Sequence, residues 1–179
     1  MKKDKRLMVI LVLILLILLV SVGYVLITTT ISVDGESTIK NAKWDVHFEN
    51  LSVNPKSVKA TLPAKIRSNN TTTINYGVDL ERKGDFYEFY VDVVNDGTLN
   101  AKFSSSPFIY GLSDKQEKYI DCHVTYANGT EINQDDKLKK NTRKRIKVNM
   151  KYREDVEKKD ILYEDMKLDL IFAMKLVQD

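Results

Sequence analysis

From Leu7 to Ile27 the chain runs 21 residues without a charge, almost wholly Leu, Ile and Val. At about 1.5 Å per residue such a stretch makes a helix of roughly 31 Å, the hydrocarbon thickness of a bilayer. Ser21, Gly23 and Tyr24 interrupt it only in its last third, where small and interfacial aromatic residues are tolerated. Residues 7–27 therefore read as a transmembrane helix. Lys2, Lys3, Lys5 and Arg6 precede it against the single Asp4, and no charge follows before Asp34. By the positive-inside rule residues 1–6 form a cytoplasmic basic tail and the rest of the chain is extracellular. Cleavage is the alternative, because Ser21-Val22-Gly23 follows a 14-residue apolar core. The apolar run resumes through Val25, Leu26 and Ile27, longer than a signal peptide needs, which favours an uncleaved anchor.

The exported remainder, about 150 residues, suits one domain with one core. Residues 28–37 read as a linker and 38–179 as the domain. Removing the tail's four cations and one anion from the chain's 28 and 25 leaves 24 of each sign, so the exported part is neutral. The long-range positive field that attracts nucleic acid is missing, and no nucleic-acid partner is expected. Cys122 is the sole cysteine. The domain has no internal disulfide and must stand on its core, and a cysteine-based zinc site is excluded.

Period-two alternation dominates from Trp44 onward. Trp44, Val46 and Phe48 alternate with Asp45, His47 and Glu49, which places Trp44 in the core rather than on a carbohydrate or interface platform. Ser57 to Ile66 reads as an edge strand, because Pro63 cannot serve a central one. Ile74 to Leu80, Tyr87 to Val93, Tyr119 to Ala127, Arg143 to Met150 and Met166 to Leu176 read as further strands. Asp96-Gly97 predicts a tight hairpin turn leading into Leu99, Ala101 and Phe103, and Asn128-Gly129 a second primed turn. Phe108 to Leu112 reads as a lid or short helix, and Arg153 to Asp165 as an exposed charged loop or helical turn. About eight strands with no long helical pattern predict an all-β domain, a jelly-roll or immunoglobulin-like β-sandwich.

The run Gly84 to Leu99 (Gly-Asp-Phe-Tyr-Glu-Phe-Tyr-Val-Asp-Val-Val-Asn-Asp-Gly-Thr-Leu), with Val124-Thr125-Tyr126-Ala127-Asn128-Gly129-Thr130, resembles the camelysin and TasA group of exported Gram-positive surface and biofilm-fibre proteins. The likeness covers about half of the exported part. It implies a jelly-roll-like sandwich displayed on, or assembled outside, the cell. A fibre subunit would need cleavage near Gly23, freeing Tyr24 to Val33 for β-augmentation of another subunit. The camelysin name also raises metallopeptidase activity. His47 and His123 are the only histidines, no His-Glu-x-x-His motif occurs, and both lie on predicted polar strand faces. No Gly-x-Ser-x-Gly elbow and no phosphate-cradling glycine cluster occurs either. No catalytic residue, metal ligand or cofactor is assigned.

One charged stretch remains. Lys137, Lys139, Lys140, Arg143, Lys144, Arg145 and Lys147 occur without an intervening acid, a candidate contact for anionic cell-wall polymer or lipid headgroups. The plainer reading is a solvated loop and strand face balanced by the acids of Glu154 to Asp165. The expected function is a membrane-anchored, non-catalytic structural or binding domain at the cell surface. Its expected partners are the membrane, through 7–27, with wall polymer, other surface proteins or copies of itself.

Overall fold

The computed structural model describes residues 8, 13–15, 17, 41–156 and 167–179. The chain divides into two units, 1–40 and 41–179. In the first, Met8, Leu13, Ile14, Leu15 and Ile17 are helical and exposed. The rest of the expected 7–27 span, the linker 28–37 and residues 157–166 of the charged stretch lie outside the described residues. Among the described residues no helix is long and apolar enough to cross a membrane.

The second unit is all-β. Its strands are β1 (Val46–Val53), β2 (Ala60–Ile66), β3 (Thr73–Asp79), β4 (Phe86–Asn95), β5 (Ala101–Phe103), β6 (Phe108–Tyr110), β7 (Ile120–Tyr126), β8 (Lys137–Leu138), β9 (Thr142–Tyr152), β10 (Lys167–Ala173) and β11 (Leu176–Gln178). Eight of them build two antiparallel four-stranded sheets, a first of order β1-β4-β9-β7 and a second of order β2-β3-β10-β6. The short β11, β5 and β8 form a third sheet that the alternation did not separate from its neighbours. Pro63 lies in β2, an edge strand, and that strand's pairing with β3 shifts register around it.

Alternation decides which side chains meet. In β4, Tyr87, Phe89, Val91 and Val93 point inward and are essentially unexposed, as are Ile146, Val148 and Met150 of β9. From the second sheet Ile74, Tyr76, Val78, Leu168, Leu170 and Phe172 join the same core. Aromatic rings knit the sheets together: Phe48 stacks on Phe172 with centroids 5.6 Å apart, and Phe89 meets Tyr76 edge-on at 5.2 Å. Burying each such side chain contributes about 1.5–3 kcal/mol, which is how the domain holds without a disulfide.

Several local expectations are corrected. No β4–β5 hairpin forms at Asp96-Gly97. β4 pairs with β1 and β9, while β5 lies in the third sheet, so the chain leaves one sheet for another there. Gly97 takes no left-handed conformation; a Cβ on it would come within 2.5 Å of the Lys43 carbonyl oxygen. Glycine is required because two backbones touch, not because the turn is tight. At Asn128-Gly129 the chain does reverse, with Gly129 N–H donating to the Tyr126 carbonyl at 2.8 Å. The two central residues, Ala127 and Asn128, are not left-handed and only Gly129 after them is, at φ 88°, so the turn is not a primed type, which needs a left-handed residue at its centre. Phe108 to Tyr110 is a strand rather than a lid or helix. The expected strand Met166 to Leu176 is two, β10 and β11, which break at Met174-Lys175 and join different sheets.

Candidate functional site

The outer face of the first sheet receives Arg143, Arg145 and Lys147 of the basic stretch, and register explains why the two arginines are not free. Arg145 of β9 faces Asp92 of β4, which faces Glu49 of β1. Arg145 donates to Asp92 at 2.9 Å, to the Asn50 carbonyl at 3.0 Å and to Ser52 at 2.7 Å. Arg143 pairs with Glu49 at 2.8 Å. Burial alone would raise the Asp92 carboxyl, but hydrogen bonds from Arg145 and Asn50 hold it below the usual carboxylate range. Glu88 is lowered against the same penalty by Asn54, Tyr90 and Asn149, with Lys147 nearby. Lys144 instead lies over the Tyr126 ring and donates to its hydroxyl at 3.1 Å. Lys137 pairs with Asp179 at 2.7 Å. Lys139 and Lys140 are exposed between β8 and β9. Among the described residues the acids paired with this stretch are thus Glu49, Asp92 and Asp179, while Glu154 and Asp155 pair with Lys151 and Arg153; the other acids of Glu154 to Asp165 lie outside the described residues.

The histidines do not come together. His47 is on β1 and His123 on β7, the two outer strands of the first sheet. Three strand spacings separate them by roughly 14 Å across the sheet. His47 shares a row with Val94 and Arg143 and His123 with Asn149, which adds roughly 20 Å along β9. No one metal ion reaches both. His47 Nδ1 lies 2.9 Å from Asp45 Oδ1. Asp45 is held below its ordinary pKa first by its hydrogen bond to Lys43 and then by His47. Among the described residues no three His, Cys, Asp or Glu side chains cluster as metal ligands. Burial, with Asp121 and Glu117 adding to it, pushes the Cys122 thiol up to about 11, far from a reactive thiolate.

The most site-like feature was not legible as such. An open groove of about 670 Å³ runs between the start of β1, the β2–β3 loop, β6 and the β10–β11 turn. Trp44 and Tyr110 line it, 44% and 54% exposed, with Phe108 against Tyr110 at 4.3 Å. The expectation that Trp44 packs in the core is therefore wrong. Trp44 keeps the phase of Val46 and Phe48, but Val46 is the first β1 residue paired with β4. Trp44 lies beyond that end, where the backbone is tied, among the described residues, to the β4–β5 connection through Lys43, Asp45, Asp96 and Thr98. Facing the aromatics is Ser68-Asn69-Asn70-Thr71-Thr72, all amides and hydroxyls. Its shape is fixed from within: Asn70 Oδ1 accepts from the Thr72 amide and hydroxyl, Phe48 N–H donates to the Thr71 carbonyl, and Met174 N–H to that of Thr72.

A second opening, of about 490 Å³, lies between β6 and β7, the outer strands of opposite sheets. Ile109, Leu112, Ile120, Cys122, Val124 and Ile132 line it together with the polar Glu117, His123, Thr125 and Glu131.

No family model, curated protein or solved structure matches the chain. The likeness to the camelysin and TasA group thus stays one of strand and turn patterns.

Proposed function

We propose that this chain is a single-pass, membrane-anchored cell-surface protein whose exported unit is a jelly-roll-like β-sandwich with a non-catalytic binding role. The anchor and its direction rest on the apolar run 7–27 behind Lys2 to Arg6. The jelly-roll form is supported by the connections: only β2–β3 and β7–β9 stay within one of the two large sheets, and the rest cross between them. Such crossing suits two Greek keys better than the ABED and CFG arrangement of immunoglobulin domains. The binding role is carried by the groove, where two large aromatics stay exposed beside a braced row of amides and hydroxyls. A non-catalytic role is supported by the separation of His47 from His123 and by the suppressed Cys122 thiol. Contact with wall polyanions falls mainly to the exposed Lys139 and Lys140, since Lys137, Arg143 and Arg145 are in ion pairs and Lys144 lies over Tyr126. Protease added to intact cells should degrade epitopes beyond Asp34; protection until the membrane is opened would reverse the topology.

The β6–β7 slot favours a second reading, a processed fibre subunit. A slot of mixed apolar and polar lining, flanked by strand edges that pair with nothing further among the described residues, suits an added strand, and cleavage near Gly23 would free one in Thr28 to Val33. Terminal-peptide mass spectrometry separates the two. Chains starting at Met1 or Lys2 in the membrane fraction support the anchor, and chains starting at Tyr24 in the medium support the fibre.

A further inference from the structure

We infer that the groove between Trp44 and Tyr110 is a binding site for an uncharged polysaccharide, a β-linked chain of pyranose rings. The inference rests on the surface-domain reading for its biological setting, not for its chemistry. A β-linked pyranose has an apolar C–H face and a rim of hydroxyls. The matching site needs flat aromatic surface that stays partly in water, with amide and hydroxyl groups at its border. Trp44 and Tyr110 provide the first, and Ser68 to Thr72 provide the second. Scattered exposed apolar side chains are ordinary, but aromatics converging on one groove from β6 and from the approach to β1 are not.

Charge narrows the ligand class. Of the described residues that line the groove only Asp45 and Lys175 are ionic. Asp45 is already engaged by Lys43 at 2.6 Å and by His47 at 2.9 Å. The groove thus offers neither a cationic cluster for phosphate or sulfate nor a carboxylate cluster for a cation. A polyanion belongs at Lys139 and Lys140, outside this groove. Openness narrows the class further: an open trough admits the interior of a chain, where an enclosed pocket would select a single small molecule. Rigidity favours binding as well. Asn70 holds the Thr72 backbone and hydroxyl, so the polar border is ordered before ligand arrives.

The test uses a property of the sequence, for Trp44 is the sole tryptophan. The full chain, in a detergent without a sugar headgroup, is titrated with soluble chito- and cello-oligosaccharides while tryptophan emission is followed. Saturable quenching or a blue shift is expected with at least one series. Tyr110→Ala keeps the reporter and should weaken the response roughly tenfold or more, whereas Tyr110→Phe should restore it. Trp44→Ala, read by retardation in polysaccharide-containing native gels, should lose retardation with an unchanged far-ultraviolet spectrum. Emission insensitive to both series, or a response to lipid vesicles alone, overturns the assignment. Protease shaving of intact cells keeps the two failures apart. An accessible domain with no oligosaccharide response sinks the glycan site and leaves the surface reading; a responsive but protected domain does the reverse.

Discussion

Removing the Asp92 carboxylate should loosen the outer face of the first sheet by a definite amount. The side chain is 10% exposed and accepts hydrogen bonds at 2.9 Å from both Arg145 and Asn50, with Arg143 at 3.9 Å. A net hydrogen bond to a charged group is worth about 1.5–3 kcal/mol. Arg145 is about a third exposed, so water replaces part of what it loses, and the cost falls short of the roughly 3–5 kcal/mol of a fully buried pair. Asp92→Ala should therefore lose about 2–3 kcal/mol, lowering Tm by roughly 6–12 °C for a domain of this size. The pH dependence is more diagnostic. Because the folded pKa lies below the unfolded value near 3.8, the carboxylate stabilises the fold above about pH 4, and the contribution fades as pH falls through the folded pKa. Urea unfolding of wild type and Asp92→Asn, followed by Trp44 fluorescence, should show a gap at about pH 6 that closes towards about pH 2. An Asp92→Asn variant as stable as wild type at about pH 6, or a gap that persists unchanged into acid, would refute the reasoning.

Gly97→Ala should cost about 1–3 kcal/mol in urea unfolding, since its Cβ meets the Lys43 carbonyl oxygen at 2.5 Å and the Asp45 nitrogen at 2.9 Å. Gly129→Ala, with nothing within 4 Å but a left-handed backbone, should cost only about 1 kcal/mol; equal losses would mean that Gly97, too, serves a turn. The Cys122 thiol, pushed up to about 11, should react slowly with a disulfide reagent at about pH 8 and rapidly in denaturant. Fast native labelling would show that β7 does not shelter it.

Strand existence was readable wherever one face is buried, because the side-chain period of two follows directly from the pleat. Tyr87 to Val93 and Ile146 to Met150 show it most clearly. What periodicity does not carry is partnership. Leu168 to Leu176 alternates without interruption, yet the strand ends at Ala173 and resumes at Leu176 in another sheet. Asp96-Gly97 has the composition of a hairpin turn, but its glycine answers to Lys43, a residue more than fifty positions away. The groove failed to show for the same reason. Trp44 is in phase with the core, and only the end of β1 pairing decides that it projects past it. The basic stretch was visible as charge, whereas its neutralisation depends on β4 bringing Asp92 beside Arg145.

The sheet order also governs when this domain can fold. β3 is completed by β10, with Thr73 opposite Ala173, and β5 lies between β8 and β11. Every large sheet contains a strand from the last forty or so residues of the chain. Such partners, about a hundred positions apart, make loop closure slow and leave no early fragment with a finished core. If the domain crosses a membrane from its anchor-proximal end onward, as proposed, it would stay unfolded until β9 and β10 are through. Export would then precede locking, and the fold itself would act as the latch that prevents the chain from slipping back.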